Sequence, residues 1–207
     1  MRAIRFLMLI LSIAPLMMSF SFFKPKQRDY ADIAREIRAD VGKKLAKKHQ
    51  MDVIAVSGGM MGSVYLIGLS FQIHHPMDRE EARERIIDCV EELLAAVNAN
   101  QEIRPFLKDY PFTTKNVDLA IFTNYPDGKE VFDPYISVVS VYESDEIDFA
   151  THEPNKRAYK NEYREPYSEA LAKLNHAKLN NHCKGCPNHP ANLTTAPPAS
   201  KNTFEYP

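Results

Sequence analysis

Two cysteines at C-x-x-C spacing lie between two histidines in the segment HCKGCPNH, close to the carboxyl end of the 207-residue chain. Thiolates and imidazoles are preferred ligands of Zn²⁺, and a C-x-x-C pair supplies two ligands at good geometry. His182, Cys183, Cys186 and His189 are therefore the candidate metal ligands, with zinc or another transition metal as the candidate cofactor. The second pair of ligands, which structural zinc sites usually carry about 12–20 residues away, is missing.

The same two cysteines have other interpretations. A c-type haem motif needs a histidine directly after the second cysteine, and Pro187 stands there, so haem attachment is excluded. A thioredoxin-like dithiol lies at the start of a helix, where the helix N-terminus lowers the pKa of the first thiol. Here the motif follows a predicted helix. In an oxidising compartment, Cys183 and Cys186 would most simply form a local disulfide, and we favour a disulfide or an inert segment over a metal or redox site.

A second set of candidate ligands lies at the ends of two predicted strands. His74 and His75 end one strand, and His152 with Glu153 ends another. They would meet around a metal ion only if those two strand ends were neighbours, and solvated side chains at the rim of a sheet are the simpler interpretation. Cys89 lies on the apolar side of a predicted helix, which is typical of a small buried hydrophobe and not of a nucleophile.

Charge excludes one class of partner. The chain has 26 Lys and Arg against 27 Asp and Glu, which gives a formal net charge of −1. Proteins that bind nucleic acid usually carry a basic face or stripe. We therefore do not expect a nucleic-acid partner.

The first 23 residues have the composition of an export segment. A short basic stretch, MRAIR, precedes the uncharged run from Phe6 to Phe23. This order of parts is typical of a signal peptide, and a run of about 18 residues also reaches the lower limit for a membrane anchor. We expect residues 1–23 to be one or the other. The protein would then be periplasmic, extracellular or anchored by residues 6–23, and an uncleaved segment would contact the membrane.

Hydrophobic periodicity predicts a single α+β domain over residues 29–179. Apolar residues at helical spacing predict a helix over residues 29–48, and Asp78 with Glu81 has the pattern of a capping box that begins a second helix. Between them, alternating apolar residues predict a hairpin with Gly58–Gly62 as its loop. From residue 180 the composition is poor in bulky apolar residues, which predicts that 180–207 is a disordered tail.

The full predicted order is helix, two strands, helix, two strands, an optional further strand and a final helix. We expect an antiparallel sheet of about four to five strands with helices packed on one face. The segment IDFATHE is the optional strand, at an edge. The coarse order resembles that of PAS-like sensor modules, as a topological analogy that carries over no functional residue.

The sequence favours a function in binding over one in catalysis. It contains no coherent catalytic constellation, so we lean against an enzyme. The leading hypothesis is an exported, non-catalytic binding module that recognises a protein or small ligand at the cell envelope. The alternative is a metal-binding or thiol-redox protein that uses His182, Cys183, Cys186 and His189.

Overall fold

The computed structural model describes residues 28–156 and 158–183, without the side chains of residues 161, 162 and 180–183. Within these ranges the chain has an α+β fold in which three helices pack against a six-stranded sheet, as the sequence predicted. In chain order, the elements are α1 (Tyr30–His49), β1 (Asp52–Met60), β2 (Val64–Ile73), α2 (Arg79–Ala99), β3 (Val117–Thr123), β4 (Val138–Tyr142), β5 (Glu146–His152), β6 (Tyr159–Pro166) and α3 (Tyr167–Cys183).

Capping residues set the starts of the first two helices. Asp29 accepts a hydrogen bond from the backbone N–H of Ala31, and Asp78 accepts one from that of Glu81, at 2.9 and 2.8 Å. Each carboxylate satisfies an N–H group that has no partner inside its helix. Both predicted starts are confirmed. Gln50 ends α1 in the left-handed conformation, with φ at 55°.

The sheet has the strand order β1-β2-β3-β4-β5-β6. Four of its five strand pairs are antiparallel, but β2 and β3 are parallel. The sheet is therefore mixed, whereas an antiparallel sheet of four to five strands was expected. The reason is the connection through α2, because a helical crossover lets the next strand run in the same direction as the last.

The carboxyl-terminal strands also differ from expectation. The segment IDFATHE forms β5, but β5 is not an edge strand because β6 pairs with its other side. Pro166 is the last residue of β6, and the helix begins at Tyr167. Strand β6 was not predicted, because its sequence is rich in charge and lacks apolar alternation. Its charges suit a strand at the edge of a sheet.

The core lies between the helices and one face of the sheet. On β2, the alternate residues Ile67, Leu69, Phe71 and Ile73 are fully buried. Strand β2 packs on α1, whereas β3 and β4 pack on α2. The predicted loop Gly58–Gly62 is shorter than expected, because β1 extends to Met60. On the opposite face of the sheet, Ser70, Ala120 and Ser140 are paired in register.

Candidate functional site

The predicted tail site falls at the limit of what the structure describes. His182 and Cys183 are the last two residues of α3, whereas Cys186 and His189 lie outside the described residues. The metal site and the Cys183–Cys186 disulfide therefore stay predictions. Cys183 stands at the carboxyl end of a helix, and the thioredoxin-like arrangement requires the amino end.

The strand-end histidines do not come together. Strands β3 and β4 lie between the ends of β2 and β5, and three strand spacings amount to about 14 Å. His74 contacts Asp52 and His75 contacts Glu81, each at 2.9 Å. His152 lies 3.2 Å from Glu130 instead. A metal ion held by all three imidazoles is therefore ruled out by the sheet order.

No other described cluster has the arrangement of a metal site. Within residues 28–156 and 158–183, no group of three or more His, Cys, Asp or Glu side chains could hold a metal ion. Cys89 is fully buried on α2. Burial, reinforced by the neighbouring Asp88 carboxylate, raises the pKa of the Cys89 thiol to about 12. Because the thiolate is the reactive form, Cys89 is an inert core residue, as its position in the sequence indicated.

A polar cleft of about 570 Å³ lies where the end of α1 meets α2. On one side, Asp88 accepts hydrogen bonds from Lys48 and His49, at 2.7 and 2.6 Å. On the other side of the cleft, Glu81 accepts two hydrogen bonds from Arg85, at 2.7 and 3.0 Å. No sequence pattern predicts this cleft, because its residues come from separate parts of the chain and share no motif.

The electrostatics of the cleft suit charge pairing more than proton transfer. Burial by itself would raise the pKa of Asp88, but Lys48 and His49 outweigh it and hold that pKa below its usual value. For Glu81 the hydrogen bonds from His75 and Arg85 likewise outweigh burial, so its pKa is also lowered. A general acid or base works best with a pKa near the working pH. These two carboxylates stay ionised at neutral pH and are poor candidates for that role.

A second charged cluster is buried between α2, β6 and α3. The Nε and Nη2 atoms of Arg83 donate to the two carboxylate oxygens of Glu165, and their side chains are 6% and 1% exposed. Glu165 also accepts hydrogen bonds from Lys173 at 2.8 Å and Tyr163 at 3.4 Å. Burial opposes ionisation of Glu165, but the hydrogen bonds from Arg83 and Lys173 lower its pKa overall. The cluster connects α3 and the last strand to α2.

Strand β1 is an edge strand that carries exposed apolar side chains. It pairs with β2 on one side and with no other described strand. Val53, Ile54 and Val56 are 41%, 50% and 59% exposed along it. Edge strands are usually protected by charges, proline or a covering segment. An exposed apolar strand with an unpaired backbone is able to accept a further strand.

The opposite edge of the sheet provides a contrast within the same molecule. Strand β6 carries Lys160 and Arg164 and ends at Pro166. Arg164 forms ion pairs with two residues of the neighbouring strand β5, Asp148 at 2.5 Å and Glu146 at 3.4 Å. Charge and proline both discourage strand addition. Among the described residues, β1 therefore differs from β6 in carrying little charge and no proline.

Comparison with known proteins gives no relative: no protein-family model, no curated protein and no solved structure matches this chain. Among the helices of the described residues, none is both long and apolar enough to cross a membrane. The predicted export segment, residues 1–23, lies outside the described residues.

Proposed function

We propose that this protein is an exported, non-catalytic binding module that captures an extended segment of a partner protein at the edge of β1. The observation that supports this proposal is the difference between the two edges of the sheet. Strand β1 exposes three aliphatic side chains, whereas β6 is charged and ends in a proline. The envelope is the compartment in which we place the partner, because residues 1–23 have the composition of an export segment.

Strand addition accounts for both affinity and selectivity at such an edge. The main chain of the partner forms ladder hydrogen bonds with β1, and its alternate side chains contact the two faces. Val56 is paired in register with Leu69, a core residue on the helix-facing side. A partner residue directly opposite Val56 would point to the same side. Burying the exposed part of Val56 there contributes about 1–2 kcal/mol.

Selection from a randomised library of short displayed peptides tests the binding site. The wild-type protein is expected to select peptides, and Ile54→Lys with Val56→Lys is expected to weaken the selected peptides about tenfold or more. Tyr142→Lys is the matched control, because Tyr142 is 57% exposed but lies on β4, an inner strand. Equal binding by the wild-type and β1 variants would contradict the proposal.

Cell fractionation tests the export part of the proposal separately. We expect the protein in the envelope or the medium, either shortened by the leader or held in a membrane fraction. The intact chain, free in the cytosol, would contradict export and leave the binding edge to be judged by the peptide selection alone.

A further inference from the structure

We infer that the segment captured by β1 is acidic, with an Asp or Glu two positions from an apolar residue, and that Arg38 binds this carboxylate. The inference rests on the proposed function and names the chemistry of the partner. It comes from the face of β1 that carries Val56 and Gly58, and from the arginine of α1 that lies against that face.

Arg38 is a positive charge without a carboxylate partner among the described residues. Its Nη1 atom donates to the backbone carbonyl of Ser57 at 2.5 Å, which is a neutral acceptor. Its Nε atom is buried and has no hydrogen-bond partner within the described part of the chain. Most other arginines of the described chain are paired: Arg28, Arg35, Arg83, Arg85 and Arg164 each form an ion pair with Asp or Glu. A guanidinium group gains most from a planar carboxylate that accepts two hydrogen bonds at once.

Gly58 makes room for this guanidinium against the strand. A Cβ atom built on Gly58 would lie 2.8 Å from Nη1 of Arg38, so the face of β1 at this position is turned toward α1. Gly58 is paired in register with Ile67, a buried residue on the helix side of the sheet. A side chain at residue 58 would displace the arginine. With glycine at residue 58, the guanidinium of Arg38 can lie beside the exposed strand.

The register of strand pairing then defines the partner sequence. Residues directly opposite each other in a pair of strands point to the same face. A partner residue opposite Gly58 would therefore project toward α1, where Arg38 lies. The partner residue opposite Val56 lies two positions away and also projects to that side, next to an apolar side chain. An acidic residue and an apolar residue at this spacing fit both positions.

The surrounding charge reinforces the preference for an acidic segment. Arg35 lies one helical turn before Arg38, and the two charges are close enough to affect each other. Burial lowers the pKa of Arg38, and the positive charge of Arg35 lowers it further. Arginine nevertheless stays protonated in proteins. A carboxylate at this place would relieve the repulsion between two guanidinium groups, whereas a basic residue would add a third positive charge.

The experiment repeats the peptide selection with wild-type protein and with Arg38→Gln. We expect Asp or Glu to be enriched two positions from an apolar residue in the wild-type selection, and not in the Arg38→Gln selection. Replacing that acidic residue by Lys in the consensus peptide should weaken binding to the wild type about tenfold or more, and to Arg38→Gln by less than about twofold. Arg104→Gln, which removes an arginine from a different surface, should behave as the wild type.

Different failures separate this inference from the proposed function. If peptides bind through β1 but show no acidic preference, or keep it in Arg38→Gln, the inference is wrong and the binding edge stands. If no selected peptide depends on Ile54 and Val56, both proposals fall. The far-ultraviolet circular dichroism of Arg38→Gln should match that of the wild type, and Arg38→Lys should retain part of the acidic preference if the protein is folded.

Discussion

The guanidinium of Arg83 and the carboxylate of Glu165 form a buried pair that joins the first turns of α2 to the end of β6. A buried pair is not by itself stabilising, because both charges lose their hydration. In the buried pair, however, each side chain supplies hydrogen bonds and opposite charge that the other needs once its hydration is lost. The pair therefore fixes the position of β6 and of α3, which follows it directly.

Removing one partner should be costly. We expect Glu165→Gln to lower the free energy of unfolding by about 2–3 kcal/mol, because it leaves buried Arg83 with only the exposed Glu80 as its counterion. Urea unfolding followed by circular dichroism measures the change. The double variant Arg83→Met with Glu165→Leu should recover most of the loss, and a single variant that unfolds at the same urea concentration as the wild type would contradict the pairing.

The same pair predicts a dependence of stability on pH. The pKa of Glu165 in the folded protein is below its ordinary value of 4.5. Its contribution to stability is thus fully present above about pH 4.5 and is lost as the pH falls through the lower folded value. The difference in unfolding free energy between the wild type and Glu165→Gln should shrink between pH 6 and pH 3. A constant difference over this range would show that the carboxylate charge is not involved.

Cys89 should be unreactive in the native protein. Its pKa is raised to about 12, so the thiol is protonated at pH 8. Its side chain is also fully buried, so a thiol reagent in solution cannot reach it. In a Cys183→Ser, Cys186→Ser background, a thiol reagent should label Cys89 only after addition of denaturant. Rapid labelling of the folded protein would place Cys89 at the surface.

The carboxyl-terminal cysteines allow a direct choice between the open interpretations. We expect the exported protein to contain a Cys183–Cys186 disulfide, seen as a loss of two hydrogen atoms in its intact mass. Metal analysis of the purified, reduced protein should then show no stoichiometric zinc. Stoichiometric zinc or copper that disappears in Cys183→Ser, Cys186→Ser would favour the metal-binding alternative.

The sequence predicted local structure better than it predicted neighbours. The starts of α1 and α2 were found because Asp29 and Asp78 act on residues two and three positions away. Strand β6 was missed because its charged sequence contains little of the apolar alternation on which strand prediction depends. The parallel pairing of β2 with β3 was missed because the direction of a strand depends on where the intervening helix packs, which is not encoded in periodicity.

The candidate site shows the same limit. The exposed aliphatic residues of β1 look like core residues in the sequence, since burial depends on which strands stand beside them. Arg38 looks like one of many charged residues on the outer face of a helix. Only its contact with the strand at Ser57, together with its close approach to Gly58, distinguishes it from the others.

Mapping the bound peptide by NMR tests the binding edge most directly. Amide resonances of the ¹⁵N-labelled protein would be followed during titration with a peptide from the library selection. The account predicts the largest shifts along Asp52–Met60, with protection of β1 amides from hydrogen exchange, and little change in Tyr159–Pro166. Shifts centred on β6, on the face of the sheet opposite the helices or on the cleft beside Asp88 would contradict the proposal.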